Sequence, residues 1–207
     1  MLMQQGNDWI DKYDLSSLRV IATAGEICDA STWHWLNQTV GHNKVEILDS
    51  WWQTETGSPM INPRPSKKQD NIPPGMSARP FYGINPKLFD SETKKEILGV
   101  GSGILTIKEP WPAIARTIYN DHNRYIETYF TEFPGIYTTG DGGRRDKNGF
   151  YQITGRTDDV INIAGHRLST SEIENILAKN DYVSEVAVIG ADHKVKGKNF
   201  PYETFSV

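Results

Sequence analysis

Short strand-like runs of hydrophobic residues alternate with one helical stretch in the first third of the chain. The run LRVIA at 18–22 predicts a buried strand that leads into a turn at 23–26. The capping residues of DAST at 29–32 predict the start of a helix that carries Trp33, Trp35 and Leu36. Residues 45–48 predict a second strand. Strands that alternate with a helix indicate an α/β layer.

The middle of the chain has a different pattern. Proline, lysine and serine dominate residues 61–78, which predicts a surface loop. Residues 100–107 and 119–130 are harder to assign to a helix or a strand. Asp146 to Gly149 predicts a hairpin turn with Asn-Gly at its tip, and residues 150–153 predict the strand that follows. We therefore expect a β-rich subdomain in this part of the chain.

The pattern changes again after Arg156. Residues 160–164 predict a short strand, and Ser169 to Glu172 predicts a capping box ahead of a helix. The apolar face of that helix is expected to consist of Ile173, Ile176 and Leu177. Residues 185–190 predict one more strand. We expect this unit to be a separate module, so the predicted fold class is α/β with α+β subdomains, divided into residues 1–156 and 157–207.

Composition and charge narrow the class of protein. The 207 residues include 23% charged and 37% hydrophobic side chains, which is typical of a globular protein. The net charge of −4, with no basic stripe, argues against a nucleic-acid partner. The sequence contains one cysteine, Cys28, which suits a reducing compartment, and no apolar run long enough to span a membrane. We expect a soluble cytoplasmic protein, and an organelle is not excluded.

The stretch DSWWQTETG at 49–57 has the most unusual local composition, because two adjacent indoles precede four consecutive polar side chains. It follows the second predicted strand, and ligands of open α/β sheets collect at the carboxyl ends of strands. Ligand pockets are largely apolar with a few convergent polar groups. This stretch therefore predicts a small-molecule site.

Three segments together resemble the adenylate-forming acyl-CoA synthetase superfamily, and within it the AMP-forming acetyl-CoA synthetase branch. They are TAGE at 23–26, WWQTETG at 51–57, and the stretch from YTTGDGG to STSEIE at 137–174. The resemblance covers about residues 18–198. It implies the C-terminal part of a large adenylate-forming domain followed by the start of a small mobile domain, and hence a partial chain.

The resemblance also implies which residues contact the nucleotide. Thr54 and Glu55 match the positions that contact the α-phosphate and its Mg²⁺, which suits a hydroxyl donor and a carboxylate. Asp141 matches the carboxylate that accepts from both ribose hydroxyls, and Arg156 adds a charged donor near the ribose and phosphate. Further implied contacts with ATP or AMP are Gly25, Glu26, Ile27, Asp49, Ser50, Trp51, Trp52 and Gln53.

Two positions bear on the acid that the resemblance implies as substrate. Trp52 matches the indole that acetate-specific members place across the acyl pocket, so the space left suits two or three carbons. Ala24 stands where acetate enzymes usually carry valine, and the smaller side chain enlarges that pocket. Acetate is the expected substrate, and propionate remains open.

Residues beyond Arg156 match the part of the family that binds CoA. Asp158 matches the hinge about which the small domain rotates, and Ala164 and Gly165 match the loop along the pantetheine tunnel. Arg167 is expected to meet the nucleotide phosphate in one state and the CoA side in the other. We assign no proton transfer to His166, and no metal site to Asn180, where some members carry a histidine.

The implied activity is that of an acetate–CoA ligase, which converts acetate, ATP and CoA to acetyl-CoA, AMP and pyrophosphate through acetyl-adenylate. The sequence has no Ser/Thr/Gly-rich phosphate loop that ends in lysine, and it does not reach the family's C-terminal lysine. We therefore expect this polypeptide to be inactive alone. The alternatives are a propionate–CoA ligase fragment, a non-catalytic nucleotide or acyl-adenylate-binding module that acts on a full-length homologous subunit, and an α/β domain without a ligand.

Overall fold

A computed structural model describes residues 2–25, 27–64, 72–157, 160–163, 166–177, 180, 183, 186–188, 191–193 and 197–199. The following elements lie within these ranges, together with short 3-10 turns at Met3–Gln5 and Thr54–Thr56. The strands are β1 Val20–Thr23, β2 Glu46–Asp49, β3 Pro86–Phe89, β4 Gly101–Ile107, β5 Tyr137–Arg145, β6 Tyr151–Arg156, β7 Val160–Ile163, β8 His166–Ser169, β9 Ala191–His193 and β10 Gly197–Asn199. The α-helices are α1 Ala30–Trp35, α2 His122–Phe130 and α3 Thr170–Leu177. The predicted mixed α/β class is confirmed.

Strands β1 and β2 form a parallel pair that is connected through α1. Asp29 caps α1 by accepting hydrogen bonds from the Ser31 and Thr32 backbone N–H groups at 2.8 and 3.0 Å. The helix continues as a π-helical turn over Leu36–Val40. The predicted burial of the first strand is wrong, because β1 begins at Val20 and its side chains alternate between exposed and half-buried.

The largest body of buried residues surrounds the antiparallel sheet β3–β4–β5–β6. The expected turn at 146–149 connects β5 to β6, and the Gly149 N–H donates to the Asp146 carbonyl at 3.1 Å. This confirms the predicted β-rich subdomain, and β6 extends beyond its expected end to Arg156. The buried core comprises Trp51, Met60, Ile61, Leu88, Leu105, Ile107, Trp111, Tyr137, Tyr151 and Ile153.

The predicted surface loop at 61–78 is buried at both of its described ends. Ile61 forms bridges to Trp51 and to Pro80, and Ala78 forms a bridge to Tyr151. Ile61 and Ala78 are almost entirely inaccessible to solvent. At these described ends, 61–64 and 72–78, proline content predicted the irregular backbone correctly. It did not predict burial, because Ile61 and Ala78 cover the edge of the core rather than face water.

The part of the chain after Arg156 contains the expected strand and helix, as β7 and α3. Strands β7 and β8 form an antiparallel hairpin, and the sheet order is β8–β7–β10–β9. The strand predicted at 185–190 is wrong over Val186–Val188, which are described without strand pairing. The division into domains at 156/157 stays a prediction. None of the helices in the described ranges has the length and apolarity to cross a membrane.

Candidate functional site

The DSWWQTETG stretch leaves the carboxyl end of β2 and forms the 3-10 turn Thr54–Thr56. The buried Thr56 side chain holds this turn, because its hydroxyl accepts from the Gln53 N–H at 3.0 Å. Gly57 closes the turn with φ of 65°, and a Cβ there would lie 2.6 Å from the Ala113 carbonyl oxygen. Glycine is therefore needed both for the backbone angle and for the close approach of the facing loop.

The facing loop at 111–115 fixes the turn from its other side. The Trp111 indole N–H donates to the Thr56 carbonyl at 2.8 Å, and the Ala115 N–H donates to the Glu55 carbonyl at 2.8 Å. Trp111 itself is buried in the core. The backbone of the turn is thus held by the sheet subdomain, and its exposed side chains are presented on a fixed frame.

Asp141 connects the two motifs at the centre of the site. Its Oδ2 accepts from the Trp51 indole N–H at 3.1 Å and from the Gln53 side-chain amide at 2.9 Å. Asp141 lies on β5 directly opposite Arg156 on β6, and the Arg156 Nη1 is 3.5 Å from Asp141 Oδ1. The tryptophan motif, the TTGD motif and the arginine are therefore brought together.

Arg156 lies across the backbone of Gly140. Gly140 has φ of 73°, and a Cβ there would lie 2.6 Å from the Arg156 guanidinium. The same guanidinium donates to the Thr139 carbonyl at 3.2 Å, and the Gln53 amide donates to that carbonyl at 2.7 Å. The glycine of TTGD thus leaves room for the cation beside the carboxylate.

Two tyrosines hold the polar side chains of the turn. The Tyr129 hydroxyl donates to Glu55 Oε1 at 2.6 Å, and the Tyr137 hydroxyl donates to Gln53 Oε1 at 3.0 Å. The two rings are stacked, with centroids 5.2 Å apart and an interplanar angle of 14°. Burial, together with the hydrogen bond to Glu55 and the charge of Glu55, raises the pKa of Tyr129 to about 12. Tyr129 is therefore a neutral donor at physiological pH.

Asp49 closes the junction between β1 and β2. The Thr23 hydroxyl lies 3.5 Å from Asp49 Oδ1, and the Ser50 N–H donates to the Thr23 carbonyl at 2.9 Å. Burial raises the pKa of Asp49 to about 6, against the opposing effect of hydrogen bonds from Thr23 and Cys28. Ser50 donates its hydroxyl to the Asn62 side-chain oxygen. These two motif residues make structural contacts within the chain.

The adjacent indoles have different surroundings. Trp51 is 9% exposed and belongs to the core, whereas Trp52 is 51% exposed. Thr54 is also exposed, and so are Ala24 and Gly25 in the turn after β1. Their expected contacts with the phosphate, the acyl group and the nucleotide stay predictions, as does the contact expected of the half-buried Ile27.

Several expected site residues have no described side chain. Glu26, Asp158, Ala164 and Gly165 lie outside the described residues. Arg167 lies in β8 opposite Asn162 of β7, and its side chain is not among those described. Their roles at the nucleotide, the hinge and CoA stay predictions.

Sequence reasoning missed three contributors to the site. Tyr129 lies on α2, in a stretch that had no assigned structure, and the Thr139 carbonyl is a backbone group that no side-chain pattern indicates. Tyr137 begins the YTTGD motif, and an aromatic residue two positions before a core threonine was a usable signal of a strand facing the core. The relation of both tyrosines to the turn depends on how α2 packs on β5.

The Glu55 carboxylate is the candidate ligand for Mg²⁺ in this site. In the part of the chain that the structure describes, no three His, Cys, Asp or Glu side chains come together as a metal cluster. Proteins often bind Mg²⁺ through only one or two carboxylates, with substrate phosphates and water completing the shell. The half-buried Glu55 carboxylate, fixed at one oxygen by Tyr129, fits that kind of site.

Comparison with known proteins identifies the family. The family model described as "AMP-binding enzyme" matches residues 1–119, which is more than half of the chain. This chain belongs to the AMP-binding enzyme family. The matched region contains β1, β2, the 3-10 turn and the loop at 111–115, and thus the amino-terminal half of the candidate site.

Acetyl-CoA synthetases are among the relatives of this AMP-binding family member. It is 48% identical to the human "Acetyl-coenzyme A synthetase 2-like, mitochondrial" over 198 residues, 96% of this chain and 29% of that protein. It is 49% identical to acetyl-coenzyme A synthetase 2 of Pseudomonas aeruginosa, over 95% of this chain and 30% of that protein. The predicted resemblance is confirmed, and the chain spans less than a third of these relatives' length.

A solved structure gives the same fold relationship. The crystal structure of the anthranilate CoA ligase AuaEII in complex with anthranoyl-AMP matches 89% of this chain and 33% of that chain, with a TM-score of 0.72 and 29% identity. That ligase contains an acyl-adenylate. The fold is therefore shared with an adenylate-bound ligase over nearly the whole of the present sequence.

Proposed function

We propose that these residues form part of the adenylate-binding site of an AMP-forming acetate–CoA ligase. The observation that carries the proposal is the hydrogen-bonded cluster of Trp51, Gln53, Asp141 and Arg156. It joins two distant motifs at the carboxyl end of a strand in a parallel pair. The identity to acetyl-CoA synthetases over 95% of the chain supports the choice of acetate.

The geometry suits recognition of a ribose. Asp141 is an acceptor that is oriented by Trp51 and Gln53, and a carboxylate can accept hydrogen bonds from both hydroxyls of a vicinal diol. Arg156, whose side chain is half exposed, would donate to the ribose and phosphate region. The adenine side would be lined by residues at the carboxyl ends of β1 and β2, namely Gly25, Glu26, Ile27, Asp49 and Ser50.

The phosphate end of the nucleotide is assigned to the 3-10 turn. Thr54 would donate its hydroxyl to the α-phosphate, and Glu55 would bind Mg²⁺ together with ATP phosphates. When bound, Mg²⁺ supplies positive charge that stabilises the phosphoryl oxygens during adenylate formation. The contribution of the chain is to hold the carboxylate and the hydroxyl on a backbone that the loop at 111–115 has already fixed.

The acyl and CoA assignments complete the proposal. Trp52 and Ala24 would bound a pocket for a two- or three-carbon acid, so propionate is the alternative substrate. Ala164 and Gly165 would contact CoA. Arg167 would serve both adenylate formation and thioester formation, and Asp158 would be the hinge between residues 1–156 and 157–207.

A full-length homologous subunit is the proposed protein partner. The cytoplasm is the proposed compartment, and it is supported by the presence of a single cysteine, the buried Cys28.

Titration calorimetry with AMP and with a non-hydrolysable acetyl-adenylate tests the nucleotide site. We expect the 207-residue chain to bind both, and Asp141→Asn to weaken AMP binding about 10- to 100-fold, because hydrogen bonds to a charged group contribute about 1.5–3 kcal/mol. Asp11→Asn, at an exposed position, is the matched control and should bind normally. Binding by the unaltered chain that is insensitive to Asp141→Asn would contradict the proposed site.

A non-catalytic binding module is the second candidate. It is favoured by one observation: these residues include the acceptor side of the site, the carboxylates of Glu55 and Asp141. Pyrophosphate release in the presence of acetate, ATP and Mg²⁺ tests whether this polypeptide forms the adenylate by itself. We expect none from this polypeptide, and release well above a protein-free blank would show that the chain carries the ligase chemistry itself.

A further inference from the structure

The Glu55 carboxylate is held by a helix that no motif indicates. Tyr129 projects from α2, and its hydroxyl donates to Glu55 Oε1 at 2.6 Å. Its ring stacks on Tyr137 and also contacts Tyr125, one turn earlier on α2, with centroids 5.5 Å apart. The donor therefore sits on a ring that aromatic neighbours keep in one orientation.

The neighbouring ring, Tyr137, holds the residue that precedes the 3-10 turn Thr54–Thr56. Tyr137 donates its hydroxyl to Gln53 Oε1 at 3.0 Å, and the Gln53 amide donates to Asp141. The stacked pair Tyr129–Tyr137 thus orients both Gln53 and Glu55, the polar residues that flank Thr54. This pair of rings therefore connects Glu55 with the cluster around Asp141.

We propose that Tyr129 is a positioning residue for a divalent cation bound by Glu55. The inference rests on the proposed function, since it takes Glu55 as the ligand of the cation. Glu55 is only half-buried, and a glutamate side chain loses conformational entropy when it is fixed. By holding Oε1, Tyr129 meets much of that loss before the cation arrives and leaves the second carboxylate oxygen to be directed at the metal.

Packing alone does not account for the hydroxyl. The contacts of Tyr129 with Tyr125 and Tyr137 are made by the ring, and phenylalanine would make them equally well. Among the described residues, the hydroxyl adds the bond to Glu55. Tyr129→Phe is therefore a variant that removes the positioning contact and keeps the packing.

The experiment compares the affinity of the 207-residue chain for metal-free ATP, in the presence of a chelator, with its affinity for Mn²⁺–ATP. We expect Mn²⁺ to strengthen binding by the unaltered chain and Tyr129→Phe to lose about 10-fold of that gain, as is typical when a partner of a metal ligand is removed. Metal-free ATP should bind Tyr129→Phe normally. Glu55→Gln should lose the gain from Mn²⁺ altogether.

Tyr125→Phe is the matched control. It removes a hydroxyl from the same helix, but that hydroxyl donates to the Ala115 carbonyl and not to Glu55. We expect it to lower the melting temperature without changing the effect of Mn²⁺. If Tyr125→Phe and Tyr129→Phe reduced the effect of Mn²⁺ equally, the role of Tyr129 would be structural and the inference would be wrong.

A spectroscopic cycle tests the contact without a ligand. Glu55→Gln should change the near-ultraviolet tyrosine absorbance of the folded chain, and the same substitution should give no such change in the Tyr129→Phe background. An identical change in both backgrounds would overturn the inference.

The outcomes separate the two proposals. If the unaltered chain binds no nucleotide, the proposed function fails and the inference fails with it. If it binds ATP with a cation effect that depends on Glu55 but not on Tyr129, the inference alone is overturned.

Discussion

Strand β4 of the antiparallel sheet and strand β1 of the parallel pair use similar runs of apolar residues and bury them to very different degrees. In β4 the side chains from Ile104 to Ile107 are all buried, whereas in β1 Val20 is 39% exposed and the strand is nowhere buried. The sheet is covered by α2, by the loop at 111–115 and by the described ends of the 61–78 segment. The difference teaches that an apolar run predicts a strand, but the elements packed on its faces decide its burial.

The largest effect is expected from removing buried volume in the sheet. Leu105→Ala should lower the free energy of unfolding by about 2–5 kcal/mol, because a fully buried leucine leaves a cavity as well as losing its transfer free energy. Chemical denaturation with a shared slope for both proteins measures the difference.

Val20→Ala in β1 is the control for that comparison. At an exposed strand position we expect a change of about 0.5 kcal/mol or less. If both variants lost similar free energy, β1 would be packed as tightly as β4 in solution, and the contrast between the two regions would not hold.

The next effect concerns the buried carboxyl that joins β1 to β2. The pKa of Asp49 is about 6 in the folded chain, against about 3.9 for an unfolded aspartate. Because the folded pKa is the higher one, the contribution of Asp49 to stability is complete below about pH 4 and is lost as pH rises through about 6. The shift corresponds to a loss on the order of 2–3 kcal/mol.

Asp49→Asn provides the test, since the amide does not titrate and its oxygen can still accept from Thr23. The difference in free energy of unfolding between the two proteins should change across pH 4–7, in the direction that makes the variant relatively more stable at the upper end. Parallel stability curves for the two proteins over this range would show that Asp49 is not desolvated.

The smallest effect is expected at the cap of α1. Asp29→Ala removes hydrogen bonds to two backbone N–H groups and should cost about 0.5–2 kcal/mol. Since α1 has no buried side chain, the loss should appear as faster amide exchange within α1. Asp121→Ala, at the cap of α2, is the control: α2 is held by the buried Tyr125, so its exchange should change less. Equal acceleration in both helices would contradict the comparison.

Local signals in the sequence predicted local structure well. Three features depend on interactions within a few residues: the cap at Asp29, the Asn-Gly turn at 148–149 and the strand that follows this turn. The local sequence is therefore enough to predict them. Three features depend on distant elements: the exposure of β1, the burial of the described ends of 61–78, and the absence of a strand at Val186–Val188. The neighbouring residues in the sequence do not determine these long-range contacts.

The candidate site divides in the same way. The resemblance to a family implied a longer set of nucleotide contacts, and the structure brings four of them into contact: Trp51, Gln53, Asp141 and Arg156. Contact of these residues with the nucleotide stays a prediction. Tyr129 was not expected, because its role depends on the docking of α2 against β5 rather than on any spacing in its own segment. Its position could not be deduced before the fold was known.

The hydrogen bond between Trp51 and Asp141 spans 90 positions of the chain. During synthesis the tryptophan motif therefore leaves the ribosome well before its acceptor exists, and the polar half of that motif must stay hydrated until β5 and β6 have emerged and paired. Assembly of this centre waits for β5 to emerge and pair with β6, and a nascent chain halted before Asp141 would expose an indole that the folded chain conceals.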